Sequence, residues 1–284
     1  RSAAAELKDG EALLLENIRR DHGEEKNDPA FAKALASLGD AYVNDAFPVS
    51  HRAHASIVGV PALIPAYAGL QFMKEVEGLT PALAPESPSL AIIGGAKFAT
   101  KEKLIHTLLT KYDKLFIGGA IVNDFFKAKG FEVGKSLVSN DKHIKELLDE
   151  PKLIIPTDVT VLGPSGQSDK DLGEVGKEDV IDDVGPKSIA ALWPVIENAK
   201  TILWNGPMGR FEDDFTRATD ELAMMVAKSR ARSIVGGGDT LASIQKLKLM
   251  DKFTFVSTAG GAMLDFLANG TLPGIEALEA SKNP

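Results

Sequence analysis

The sequence contains no cysteine, and this absence excludes several kinds of chemistry at once. Disulfide bridges, thiolate nucleophiles and cysteine-ligated metal centres all require the missing side chain. A chain without disulfides fits a reducing compartment, and we expect a cytoplasmic protein. With 284 residues the chain is long enough to bury a large core without covalent cross-links, and its length suggests two domains.

Long apolar runs and an excess of positive charge are also missing. No run of about 18 apolar residues occurs, so the sequence predicts no membrane-spanning helix and no membrane partner. The formal net charge of −8 argues against nucleic acid as a partner. Local basic clusters remain able to bind small anions.

Two standard nucleotide-binding motifs are absent as well. The segment Gly130–Ser136 resembles a phosphate-binding Walker A loop, but only three residues separate its glycines where that motif needs four. We interpret it as a surface loop. No Gly-x-Gly-x-x-Gly follows a predicted strand, which weakens the hypothesis of a dinucleotide dehydrogenase. The polar stretch from Gly163 to Asp182 is predicted to be an exposed excursion.

The most informative stretch present is Ser233–Ser243, in which an apolar run leads into Gly236-Gly237-Gly238 and then into a predicted helix. Glycines let the backbone approach a ligand closely, and a helix start offers free N–H groups to a phosphate. Asp239 would sit beside that anion, where a hard carboxylate is typical of a Mg²⁺ site. The alternative is an ordinary strand-to-helix turn with Asp239 as a helix cap.

The same order of strand, glycine turn and helix recurs along the second half of the chain. This repetition predicts a parallel sheet with helices on both faces, and ligands of such sheets bind at the carboxyl ends of the strands, where the turns would gather. The predicted strand ends and turns are Leu90–Ile93 with Gly94-Gly95, Lys114–Ile117 with Gly118-Gly119, Thr201–Trp204 with Asn205-Gly206, the stretch from Ser233, and Thr254–Val256 with Gly260-Gly261.

The first half of the chain offers basic residues at similar places. Leu13–Leu15 is predicted to be a strand that leads to Arg19, a position that faces the ligand crevice of an α/β sheet. Arg52 lies between His51 and His54 in a loop. The two histidines lack a third zinc ligand, so an anion site built around Arg52 is the favoured interpretation.

The predicted boundaries follow from helix and proline patterns. Residues 1–65 form a first domain, 66–78 a helix that serves as an interdomain hinge, 79–270 a second domain, and 271–284 a tail that returns to the first domain.

Several motifs, in this order along the chain, resemble those of the phosphoglycerate kinase family. They are Leu15-Glu16-Asn17-Ile18-Arg19, His51-Arg52-Ala53-His54-Ala55-Ser56, Gly94-Gly95-Ala96-Lys97, Asp183-Val184-Gly185-Pro186, Trp204-Asn205-Gly206-Pro207, Gly236-Gly237-Gly238-Asp239-Thr240 and Ser257-Thr258-Ala259-Gly260-Gly261.

The resemblance implies two Rossmann-like, three-layer α/β/α domains with parallel sheets, which close by hinge bending. It implies a monomeric glycolytic kinase, a phosphotransferase with a carboxyl acceptor, that moves a phosphoryl group between 1,3-bisphosphoglycerate and ADP with Mg²⁺. Arg19 and Arg52 would bind the phosphoglycerate, Lys97 and Gly237 would act in catalysis, and Asp239 would hold the metal. The implied nucleotide-binding residues are Lys97, Lys101, Gly118, Gly119, Asn205, Glu212, Gly237, Gly238, Asp239 and Thr240.

Departures from the family pattern at Pro48, Thr100 and Ala259 lie at loop edges. A larger one is that the family's opening third of the N-terminal domain has no counterpart here, so the resemblance implies a truncated chain whose first domain is incomplete. The alternative function is therefore a nucleotide-binding α/β module without turnover.

Overall fold

The computed structural model describes residues 2–139, 141 and 143–281. The chain forms two compact units, one of Arg1–Glu77 with Gly261–Pro284 and the other of Gly78–Gly260. The first unit is therefore assembled from two separate segments of the chain. These bounds differ from the predicted ones, since the chain joins the first unit from Gly261 onwards rather than from residue 271.

Helices and short strands alternate along most of the described chain. The α-helices are α1 Ser2–Ala5, α2 His22–Glu25, α3 Pro29–Ala36, α4 Leu70–Leu79, α5 Glu102–Lys111, α6 Ile121–Ala128, α7 Ile144–Leu147, α8 Pro186–Ala191, α9 Trp193–Asn198, α10 Arg217–Lys228, α11 Gly238–Lys246, α12 Gly261–Asn269 and α13 Pro273–Glu279. The strands are β1 Tyr42–Asn44, β2 Ala66–Ala68, β3 Ser89–Ile93, β4 Lys114–Ile117, β5 Leu153–Ile154, β6 Asp158–Gly163, β7 Gly166–Asp171, β8 Val180–Val184, β9 Thr201–Asn205, β10 Arg232–Gly236 and β11 Phe255–Ser257.

The second unit is built on a six-stranded sheet with the order β11-β10-β9-β3-β4-β5. All its neighbouring strands are parallel, as the repeated strand and glycine turn predicted. From β3 the chain proceeds toward one edge, and from β9 it proceeds toward the other. Because β-α-β crossovers are right-handed, the two directions place their connecting helices on opposite faces. The order reverses between β3 and β9, which is where open sheets of this kind bind ligands.

The core of this unit follows from the strand alternation. Leu90 and Ile92 of β3 face a cluster that contains Trp204 and the apolar sides of α8 to α11, while Ala91 and Ile93 face the other way. All four of these side chains are fully buried. A strand that is apolar on both faces is what a parallel sheet covered on both sides requires.

The segment 163–182, predicted to be an exposed excursion, is exposed over much of its length but is not an irregular loop. Half of its residues belong to a three-stranded antiparallel sheet with the order β7-β6-β8. The edge strand β7 is polar and exposed, and this composition led to the prediction of a loop. The central strand β6 is different, because its Val159 and Val161 are fully buried. The last strand, β8, carries two buried aspartates, Asp182 and Asp183.

In the first unit, β1 and β2 pair in parallel. Phe47 packs edge-on against Phe72 and Phe266, with ring centroids 5.4 and 5.8 Å apart. Phe266 belongs to α12, so the C-terminal segment supplies part of this unit's core. Gly274 of α13 donates its N–H to the Ser50 carbonyl at 2.9 Å.

Two secondary-structure predictions for the first unit are wrong. Residues 13–15 form no strand, and Leu14 is 96% exposed, because no neighbouring strand pairs with their backbone within the described ranges. The helix predicted over 66–78 begins at Leu70, because Ala66–Ala68 pair with β1 instead. Within the residues described, no helix combines the length and the apolar character that crossing a membrane would require.

Candidate functional site

Four glycine turns meet at the carboxyl ends of β3, β4, β9 and β10. The Gly94 N–H donates to the Asn205 carbonyl at 2.9 Å, and the Gly119 N–H donates to the Met208 carbonyl at 3.0 Å. A Cβ on Gly94 would lie 2.0 Å from the Pro207 carbonyl oxygen, so only glycine allows the turn after β3 to approach the turn after β9 this closely. The predicted gathering of glycine turns is therefore present for these four.

A cavity of about 400 Å³ opens beside these turns. Its volume is in the range of small-molecule sites. Gly119, Glu212 and Asp239, all predicted nucleotide ligands, line it. Its other walls are largely apolar or small, and they include Gly95, Ala96, Val122, Leu137, Val159, Ile181, Pro207 and Met208.

Lys101 holds two of the turns together. Its Nζ donates to the Gly94 carbonyl at 2.6 Å and to Asn205 Oδ1 at 2.9 Å. Burial of this ammonium lowers its pKa to about 8, because desolvation disfavours the charged form. Below about pH 8, Lys101 therefore places a positive charge under the glycine turns, and this charge is lost as the pH rises above that value.

The predicted anion site at the Gly236–Gly238 turn begins the nine-residue helix α11. Gly237 is its N-cap, with φ +105, a backbone conformation that suits glycine. Thr240 is fully buried, and its Oγ1 has no hydrogen-bond partner among the described residues. The unpaired N–H groups of this first turn and the hydroxyl suit the oxygens of a phosphate.

Asp239 lies in the first turn of the same helix, exposed, and no described residue bonds its carboxylate. An exposed, unengaged carboxylate beside a cavity and an anion-binding turn has the chemistry of a Mg²⁺ ligand. The alternative interpretation, in which Asp239 caps the helix, does not hold. Gly237 is the N-cap residue of α11, and no side chain forms a capping hydrogen bond there.

The remaining predicted nucleotide ligands lie around the same turns. A Cβ on Gly118 would lie 2.5 Å from Met208 Sδ, which places this glycine directly behind the cavity wall. Gly238 is exposed at the start of α11. Lys97 is exposed before the 3₁₀ turn Phe98–Thr100, and no described contact holds its ammonium.

The two predicted substrate arginines lie in the first unit. Arg19, exposed in a 3₁₀ turn, lines a cavity of about 250 Å³ with His54 and Ser56. The buried carboxylate of Glu24 in this cavity accepts hydrogen bonds from Ser56 N at 2.9 Å and Ser56 Oγ at 2.6 Å. Arg52 is exposed and is not among the residues that line this cavity.

The protonated form of His51, the residue before Arg52, is disfavoured. Burial lowers the pKa of His51, and the positive charge of Arg52 acts in the same direction, while Asp265 opposes them.

Comparison with known proteins identifies the family. The sequence profile of the phosphoglycerate kinase family matches residues 1–270. The phosphoglycerate kinase of Pelotomaculum thermopropionicum is 45% identical over 291 residues, with 98% of this chain and 74% of the relative covered. That of Moorella thermoacetica is 46% identical with the same coverage. The chain belongs to the phosphoglycerate kinase family.

Solved phosphoglycerate kinase structures share this fold. The structure from Coxiella burnetii is 43% identical, with a TM-score of 0.85 over 96% of this chain and 74% of that one. The structure from Pyrococcus horikoshii is 32% identical, with a TM-score of 0.87 over 99% of this chain and 76% of that one.

Sequence reasoning missed several cavity residues of this family member. Lys135 lies within the Walker-like segment that was interpreted as a surface loop and Leu137 follows it, yet both line the cavity. Asp182 of β8 and Arg210 line it as well. The signal for β8 was weak, because its apolar residues are interrupted by the adjacent pair Asp182 and Asp183 and its flanks are polar.

Proposed function

We propose that this protein catalyses the reversible transfer of a phosphoryl group from 1,3-bisphosphoglycerate to ADP, giving 3-phosphoglycerate and ATP. The observation that carries the proposal is the convergence of four glycine turns on one cavity, with Lys101 beneath them, in a chain of this family. In the reaction a β-phosphate oxygen of ADP bonds to phosphorus while the bond from phosphorus to the carboxyl oxygen breaks.

The nucleotide would occupy the cavity of the second unit. Gly118 and Gly119 would border the base, and Glu212, which lines the cavity, would accept a hydrogen bond from the ribose. The phosphates would meet Gly237, Gly238 and Thr240 at the start of α11, where free N–H groups and the helix dipole favour negative charge. Lys101 and Asn205, already joined by a 2.9 Å hydrogen bond, would face the same phosphates.

The exposed carboxylate of Asp239 would hold a Mg²⁺ ion brought in with the nucleotide. When bound, such an ion neutralises phosphate charge and orients the transferring group.

Lys97 is proposed as the residue that stabilises the phosphoryl group in flight. Its ammonium is exposed and held by no described contact, so it can follow charge that develops on the transferring oxygens. The backbone N–H of Gly237 would donate to the same group. Phosphoryl transfer depends on positioning and charge neutralisation, which agrees with a site of lysines and glycine turns.

In the first unit, Arg19 and Arg52 are proposed to bind the phosphoglycerate. A guanidinium matches carboxylate and phosphate oxygens with paired N–H donors. Both side chains are exposed and therefore accessible to a soluble anion.

The alternative, a nucleotide-binding module without turnover, is not favoured, because the chain is 45% identical to a phosphoglycerate kinase over nearly its whole length. We further propose that the protein acts as a monomer in the cytoplasm on these small molecules alone.

The replacement Lys97→Ala tests the proposal. We expect kcat to fall by about 10² to 10³ in a coupled assay with 3-phosphoglycerate and ATP, the typical cost of losing one preorganised donor to the transition state. The dissociation constant of ADP, measured by calorimetry, should change much less. Lys111→Ala, an exposed lysine at the end of α5, is the matched control and should retain full activity.

Two results would contradict the proposal. Absence of turnover in the wild-type protein would reject the activity. An increased KM at unchanged kcat in Lys97→Ala would make Lys97 a binding residue only.

A further inference from the structure

Three side chains of types that ligate metal ions meet at the start of α5. Glu102 is the first residue of that helix, and Asp141 and His143 directly precede α7. One ligand atom from each residue lies within 4.8 Å of the other two. None of the three lines the cavity beside the glycine turns, so this cluster is separate from it.

The spacing of the ligand atoms matches the edges of a metal coordination polyhedron. His143 Nδ1 lies 2.8 Å from Glu102 Oε1 and 3.4 Å from Asp141 Oδ1. Ligands bound to Zn²⁺ at about 2.0–2.1 Å are separated by about 2.9 Å at a right angle and by about 3.4 Å at the tetrahedral angle. An ion bonded to all three atoms therefore requires only small movements of the side chains.

An ion pair between protonated His143 and the two carboxylates is the alternative. It compensates one of the two negative charges, and no described lysine or arginine forms an ion pair with Glu102 or Asp141. These two side chains are only 30% and 18% exposed, so the remaining charge is partly shielded from water. A divalent cation compensates both carboxylates and leaves His143 neutral, the form in which imidazole binds metals.

The types of donor atom decide which ion suits the cluster. Imidazole nitrogen suits Zn²⁺, whereas Mg²⁺ prefers oxygen ligands and keeps several waters. No thiolate competes for the ion, because the chain contains no cysteine. The His143 side chain is 58% exposed, so an ion can enter from solution and water can complete its coordination.

The cluster also connects two parts of the second unit that are distant in sequence. The segment between α6 and α7 is held at α6, where Ser139 donates to Asp124 from its N at 2.7 Å and from its Oγ at 2.8 Å. The same segment contributes Lys135 and Leu137 to the cavity wall. An ion shared with Glu102 would add an anchor for this segment at α5.

We propose that Glu102, Asp141 and His143 bind one Zn²⁺ ion, and that this ion stabilises the second unit. The proposal does not depend on the function proposed above, because its three ligands have no residue in common with the cavity. The role of the ion is structural, since it joins two elements that fold next to each other.

Calorimetric titration of zinc chloride into the full chain tests the proposal, with excess Mg²⁺ present to occupy sites made of oxygen ligands alone. We expect one strong Zn²⁺ site per chain. His143→Gln removes the nitrogen ligand and should weaken binding at least about tenfold, since even the hydrogen-bond partners of metal ligands typically contribute about 10- to 100-fold. Glu102→Gln, which replaces a carboxylate by an amide of similar shape, should weaken binding to the same extent.

His106→Gln is the matched control. His106 is an exposed histidine one turn after Glu102 on the same helix, and it is not part of the cluster. Its replacement should change the affinity for Zn²⁺ by less than about twofold. Asp239→Asn should also leave the affinity unchanged, because Asp239 lies at the start of α11.

Thermal unfolding followed by tryptophan fluorescence gives a second measurement. At a free Zn²⁺ concentration of about 100 times the dissociation constant, the Tm of the second unit should rise by about 5 °C or more. At the same concentration, the Tm of His143→Gln should rise by about half as much or less.

Three results would overturn the proposal. The first is a wild-type protein without a Zn²⁺ site, and the second is an affinity in His143→Gln within about twofold of wild type. The third is a loss of binding in His106→Gln or Asp239→Asn as large as that in His143→Gln, because the ion would then have other ligands.

Discussion

Asp183 is predicted to make the stability of the second unit fall as pH rises from about 4 to about 7. It is 3% exposed, and its two oxygens accept hydrogen bonds from Val184 N at 2.9 Å and Ala218 N at 3.0 Å. Burial raises the pKa of Asp183 to about 7, and these backbone bonds only partly oppose the rise. The ordinary value is 3.8.

The folded protein therefore holds a proton on Asp183 between about pH 4 and pH 7, where the unfolded chain has lost it. Stability falls with rising pH wherever the folded state binds more protons, so the contribution of this group is complete below pH 4 and lost by pH 7. At 1.36 kcal/mol per pH unit, the loss between pH 4.5 and pH 7 amounts to about 3 kcal/mol. Asp183→Asn cannot titrate and should lack this loss.

Urea unfolding followed by tryptophan fluorescence measures the effect in the relevant unit. Both tryptophans, Trp193 and Trp204, belong to Gly78–Gly260, so the signal reports on that unit alone. The difference in free energy of unfolding between wild type and Asp183→Asn should shift by about 3 kcal/mol in favour of the variant from pH 4.5 to pH 8. An amide satisfies only one of the two backbone donors, but that cost does not change with pH.

Asp251→Asn provides the control, since the Asp251 side chain is 74% exposed and should leave the pH dependence unchanged. The reasoning would be refuted if Asp183→Asn followed the wild-type pH dependence to within about 1 kcal/mol.

Two further predictions concern the glycine turns. The affinity for ADP should fall as pH rises above about 8, because the Lys101 ammonium loses its proton there, and Lys101→Arg should remove this dependence in calorimetry between pH 7 and pH 9.5. An unchanged dependence in that variant would assign the titration to another group. Gly94→Ala should lower the free energy of unfolding by at least about 2 kcal/mol, because its Cβ would overlap the Pro207 carbonyl, whereas Gly173→Ala, with open space around it, should not. Equal urea midpoints for the two variants would contradict the argument.

The sequence was informative wherever one local pattern determined the structure. Apolar runs followed by glycine turns located β3, β4, β9 and β10, because a buried parallel strand and its tight turn each need a distinct composition. The parallel sheet and the meeting of the turns at one edge followed from that repetition.

The antiparallel sheet and the polar wall of the cavity could not be predicted in the same way. Asp182 and Asp183 are adjacent, identical in type and both line the cavity, yet Asp182 pairs with Arg210 whereas Asp183 accepts a hydrogen bond from the start of α10. Their roles depend on the register of β8 and on partners about 30 residues away. The helix expected over 66–78 failed for a similar reason, because Ala66–Ala68 gain backbone partners only once β1 is in place.

The division of the chain has a consequence for synthesis on the ribosome. The first unit contains both Arg1–Glu77 and Gly261–Pro284, so its chain is interrupted by the whole of the second unit. Because translation is vectorial, Gly78–Gly260 has emerged in full before α12 can bring Phe266 to Phe47. The unit that is begun first is thus completed last, and its aromatic core stays open to other contacts until the final helices arrive.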